Sequence, residues 1–261
     1  MSENILSLPC GKNERLRVLV HKMSQDVRLQ TLWRCANVMA VDRMGYTDHG
    51  PVHVKIVANS ALKILRLLIE NGVVPSVVKN YNLTNEDAEV VTVFASVFHD
   101  LGMTVLRKNH GQYSIILSLD FLREYLEAAY DKEKAAILCS EILHALATIH
   151  DGDKTPLTIE AGIVRIADAL DMEKGRARIP FEAGKIDIHS VSALSIEKVQ
   201  IERGTEKPVN IQIQMNSSAG IFQIDQLLRP RIKNSGLEKY VHVIATIKGA
   251  EEARIIERYE I

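Results

Sequence analysis

At 261 residues, with 46% hydrophobic and 25% charged residues, the chain can bury one large core or two smaller ones. A formal net charge of -1 gives no ground for nucleic acid or an anionic membrane surface as partner. Cys10, Cys35 and Cys139 are widely spaced and odd in number, so they read as reduced thiols rather than a disulfide framework or zinc knuckle. No apolar run reaches membrane-spanning length and no signal-peptide layout opens the chain, so a cytoplasmic protein is expected.

Residues 1–12 read as a loose arm ending at Pro9 and Gly11. Leu16, Leu19, Met23, Val27, Leu32 and Trp33 then recur at helical spacing, which predicts two helices between Asn13 and Val41. The polar stretch from Asp42 to Pro51 is a loop that delivers His49 and His53. Val57, Leu62, Leu65, Leu68 and Ile69 predict an amphipathic helix stopped at Asn71-Gly72. Thr84, with Glu86 and Asp87 behind it, caps a nearly all-apolar helix through Val90, Val93, Phe94 and Val97 to His99-Asp100. A helix from about Tyr113 to Ala129 follows. Asp131 caps another, which carries His144 and ends at His150-Asp151-Gly152. Thr158 caps the next, which runs through Ile163 and Ile166 to Asp168 and Asp171.

The period changes near Pro180. Ile186/Ile188, Leu194/Ile196, Val209/Ile211/Ile213/Met215, Val241–Ile247 and Arg254–Ile261 alternate like strands, with one helix between Ile224 and Lys233. The fold expected is mainly α: an all-helical domain over 1–180, then a small α+β domain over 181–261 with a regulatory or dimerising role. Its sheet edges leave a homodimer open. Arg229, Arg231 and Lys233 form one short basic cluster with few aromatics nearby, which is weak ground for nucleic-acid binding.

The chemistry lies in the histidines. His53, His99, His110 and His150 each stand at a helix edge or break, and His144 and Asp168 lie on helices otherwise full of aliphatics. An isolated one reads as a hydrogen-bonded core residue or a cap. Together each would need its own buried partner, whereas one shared metal centre satisfies them all.

His53, then His99-Asp100-Leu101-Gly102, then Ile166-Ala167-Asp168 resemble the ordered H…HD…D signature of the HD-domain metal-dependent phosphohydrolases over about residues 45–175. His110, His144 and His150 resemble the extra histidines of its two-metal members. No Gly-Tyr-Pro follows His99-Asp100, so the cyclic-di-GMP phosphodiesterase branch is not resembled. The resemblance implies one or two divalent ions (Mn, Fe, Zn, Ni or Mg) held by His53, His99, Asp100, His110, His144, His150 and Asp168. His99 and Asp100 would be the catalytic pair, with Asp100 bridging two ions beside an activated water. His144 and His150 are six residues apart and reach one ion only if the helix ends between them.

Lys55, Arg107, Lys108 and Arg165 are candidate phosphate anchors, each of which also reads as a solvated charge. Asp48-His49 either orients a ligand or caps the helix, and Asp171 reads as structural. The expected activity is cleavage of a phosphoester or phosphoanhydride in a small, nucleotide-like phosphorylated substrate. The alternative is a non-catalytic metal-binding sensor whose C-terminal domain binds an effector or a protein partner.

Overall fold

A computed structural model describes residues 5–150, 155–175 and 192–248 and the backbone of 258–260. The helices start where the sequence supplies side-chain caps. Asn13 accepts from the Leu16 amide at the head of α1 (Glu14–Gln25). Asp26 ends that helix and accepts the Arg28 and Leu29 amides of α2 (Val27–Asn37), so one hydrophobic period becomes two helices. After π-helical turns over Val38–Arg43, Pro51 opens α3 (Pro51–Glu70). Asp48 caps it by accepting the Gly50 and His53 amides.

A short α4 (Ser76–Tyr81) has no capping residue of its own sequence. Its first amides, those of Ser76 and Val77, are accepted by the buried carboxylate of Glu160 far along the chain, so local pattern gives no hint of it. Burial pushes the pKa of Glu160 up against those bonds. In α5 (Asn85–Phe98) Thr84 and Asp87 form a reciprocal capping box, and every residue from Asp87 to Phe98 is buried. This helix packs on α3 and on α7 (Lys132–Thr148) and α8 (Ile159–Ala169). Between α5 and α7, α6 (His110–Glu127) lies against α7 and the 3-10 turn Leu101–Thr104. It starts three residues before the expected Tyr113, where Asn109 turns the chain at φ 62°.

Among the described residues, the C-terminal part holds a four-stranded sheet in order β1 (Ile196–Arg203), β2 (Val209–Met215), β3 (Val241–Ile247), β4 (Arg258–Glu260). β1 and β2 are antiparallel, as are β3 and β4, but β2 and β3 are parallel. Parallel neighbours need a crossover, here the helical segment α9 over residues 221–233. The architecture is therefore the expected one, a helical part followed by a small α+β part. Apart from a small cluster of Ala36, Ala40 and Met103, their described buried apolar residues form one continuous core. The expected boundary at Pro180, the Ile186/Ile188 strand and residues 254–257 lie outside the described residues. Among the described residues, no helix is long and apolar enough to cross a membrane.

Candidate metal centre

Three contacts with short side chains or none at all assemble the site. The Ser114 hydroxyl of α6 donates to the His99 carbonyl (2.6 Å) and accepts the Gly102 amide (2.8 Å), clamping the turn after α5 to the start of α6. A Cβ on Gly102 would lie 1.9 Å from the His110 carbonyl oxygen, so only glycine lets α6 come this close. A Cβ on Gly111 would lie 3.1 Å from the Leu146 oxygen of α7, which carries the chain towards His150.

Two groups of donor atoms converge. His53, His99 and Asp100 form one; Asp100, His110 and His150 form the other. In the first group the Nε2 atoms of His53 and His99 are 3.1 Å apart, and Asp100 Oδ2 is 3.3 and 3.2 Å from them. Asp168 Oδ1 stands 3.4 and 3.7 Å from the same nitrogens. In the second, Asp100 Oδ1 is 3.3 Å from Nε2 of both His110 and His150. The two oxygens of one buried carboxylate thus face two separate histidine pairs.

The ring protons decide what these gaps can hold. Each Nδ1 meets an acceptor: His53 the carboxylate of Asp171 (2.6 Å), His99 the Ser96 carbonyl (2.7 Å), His110 the Arg107 carbonyl (2.7 Å). Nδ1 therefore carries the hydrogen in all three neutral rings, and each Nε2 lone pair points into the cluster at carboxylate oxygens. Such convergence is repulsive without a cation. Asp100 Oδ1 and His150 Nε2 are buried with no hydrogen-bond partner among the described residues.

Donors about 2.0–2.2 Å from an ion lie roughly 3.3–3.6 Å apart in a tetrahedral site and about 2.9–3.1 Å in an octahedral one. All the separations but the 3.7 Å between His99 and Asp168 fall between those limits, so the donor set fits a divalent metal. Without one, a proton does part of the same work. Burial disfavours charge on His99, but Asp100 and Asp168 outweigh it and push its pKa up to about 9. The Asp100 carboxyl, despite its burial, is held well below the usual range by His99 and the other histidines around it. Asp168, less deeply buried than Asp100, is held low against its desolvation by His53 and His99 and then by Arg231. Burial, aided by the nearby His110, pushes His150 down to about 4.

A protein of Methanocaldococcus jannaschii, named uncharacterized protein MJ1020, is 42% identical to the chain over 232 residues, which is 89% of each. The chain belongs to the family of that archaeal protein. No family model and no solved structure matches it.

The other candidates are placed as follows. His144 is in neither donor group; its Nε2 accepts the Leu157 amide (3.1 Å). Asp151-Gly152 of the His150 motif lie outside the described residues. Arg107 lines the cavity over the cluster, its guanidinium 4.1 Å above the Tyr46 ring. Lys108 is exposed beside it, and Lys55 lines a different groove with Pro51 and Ile56. Arg165 is buried, donating to the Ile149 carbonyl at the end of α7 (3.3 Å) and to the Asn234 carbonyl just after α9 (2.6 Å), bonds that tie α8 to both.

Three site residues went unread. Asp171, which reads as structural in the sequence, fixes the ring of His53, as carboxylates behind metal-bound histidines do. Ser114 gave no signal at all. Arg231, read only as part of a basic cluster, reaches Asp168 Oδ2 at 3.7 Å and donates to the Ile149 carbonyl.

Proposed function

We propose that the protein is a metal-dependent phosphohydrolase of the HD type, cleaving a phosphoester or phosphoanhydride in a small phosphorylated substrate. The observation that carries this reading is Asp100, whose two oxygens address two histidine pairs 3.2–3.3 Å away, as a carboxylate shared by two ions would. When bound, divalent ions polarise a phosphoryl oxygen and bring the pKa of a coordinated water near neutrality.

The chain's own residues prepare the place. Asp171, Ser96 and Arg107 hold three imidazoles with Nε2 inward, so binding needs no ring to turn. The cavity above them is about 470 Å³, within the range of small-molecule sites. Tyr46, Thr47 and His49 line one part of it and α9 supplies Gln223, Gln226 and Leu227. Arg107, stacked on Tyr46, presents a planar pair of donors suited to a phosphate.

Elemental analysis of the purified protein, joined to a screen of nucleotides and phosphoesters with added Mn²⁺ or Ni²⁺, tests this. Metal retention with turnover of at least one phosphate compound is expected, and Asp100→Ala should lose both. Firm metal retention with no turnover across the panel would favour the non-catalytic sensor instead.

A further inference from the structure

The role of the α+β part is open on the reading above, and Arg231 bears on it. Its side chain leaves α9, passes the Ile149 carbonyl and ends 3.7 Å from Asp168 Oδ2 at the wall of the metal cavity. It stays about a third exposed there, so the guanidinium still faces open space. The same carbonyl accepts Arg165, which in turn grips Asn234 just after α9. A Cβ on Gly162 would come 2.3 Å from the Ser235 oxygen, so α8 and this segment are in backbone contact. Arg231 is thus held in place by the helical part rather than carried on a free surface.

We propose that the α+β part completes the substrate site, with Arg231 of α9 binding a phosphoryl group of the substrate beside the metal cluster. This rests on the hydrolase reading. One edge of the guanidinium is occupied by the Ile149 carbonyl, which fixes the plane; Asp168, at 3.7 Å, is an ion pair too long to saturate the remaining donors. Arg107 comes from the loop before α6 and Arg231 from α9, so two guanidiniums from distant parts of the chain line one cavity that also holds Asp100, His110 and His150. Their charge offsets that of a bound phosphate dianion and orients it bidentately, which a lysine cannot do.

The test uses the full-length, metal-loaded protein with inorganic phosphate as probe, titrated by calorimetry, and metal content measured on the same samples. Arg231→Gln is expected to keep wild-type metal content and to bind phosphate about ten- to hundredfold more weakly. Arg231→Lys should recover part of that loss. Unchanged phosphate affinity in Arg231→Gln, with wild-type protein binding normally, overturns this inference and leaves the hydrolase reading intact. So does a fall in metal content with unchanged phosphate affinity per bound ion, which would make Arg231 a support for Asp168 only. Wild-type protein that holds metal but binds no phosphate sinks both.

Discussion

Gly102→Ala is the sharpest structural probe of how the cluster is assembled. The added Cβ would meet the His110 carbonyl oxygen at 1.9 Å, the Ser114 nitrogen at 2.6 Å and the His110 carbonyl carbon at 2.8 Å. The nearest is about 1.5 Å short of ordinary contact. All three are backbone atoms of α6, so no side chain can swing aside; the start of α6 must move. Overpacking of this kind costs about 1–3 kcal/mol. Displacing α6 also breaks the two bonds of Ser114 to His99 and Gly102, at about 1 kcal/mol each. A loss of about 3–5 kcal/mol is expected in urea unfolding of the metal-free protein. His110 moves with α6, so metal bound through Asp100 Oδ1 should fall as well. Gly72→Ala is the control, because nothing lies within 4 Å of its Cβ. Its φ of +80° costs only about 1–2 kcal/mol, with no effect on metal. If Gly102→Ala matched the wild type in both stability and metal content, the close approach of α6 would not be what builds the site.

Asp171→Asn should keep the fold but weaken metal binding about 10–100-fold in metal-buffered titrations, because the His53 ring loses the carboxylate that fixes its tautomer; an unchanged affinity would make Asp171 incidental. His110→Ala should remove one donor from the second group only, so protein analysed for metal should keep the ion at His53, His99 and Asp100, while Asp100→Ala, which removes the carboxylate common to both groups, keeps none. Metal-free protein should be most stable near pH 6.5. His99, raised to about 9, contributes its full stabilisation below pH 6.5 and loses it as pH rises through 9; His150, lowered to about 4, loses its contribution as pH falls from 6.5 through 4. Thermal unfolding after chelation reads this directly, and a melting temperature that kept rising from pH 6.5 to 9 would contradict the placement of His99 beside Asp100 and Asp168.

His53, His99, Asp100 and Asp168 were legible because each stands at the edge of an apolar helix or within one, and a polar group at such a place must be satisfied by something. Two other candidates, the phosphate anchor Arg165 and the ligand His144, find partners that their sequence patterns do not name. Arg165 sits on an equally apolar helix, but its charge is met by two backbone carbonyls. His144 is met by one amide. A sequence reports that a buried polar group needs a partner without saying which partner it finds. Asp171 and Arg231 were missed for the converse reason: the one follows a helix in an ordinary turn, the other lies in a common basic cluster, and their meaning comes from contacts 118 and 82 residues away.

By itself the sequence determined the helical and alternating halves, most helix starts and four residues that meet at one centre, because caps and hydrophobic period act over a few residues. Tertiary structure alone decided which nitrogens face inward, that β2 and β3 run parallel, that Glu160 heads α4, and that α9 lines the cavity. Those outcomes depend on which distant segments come within hydrogen-bond reach. Periodicity carries no record of that.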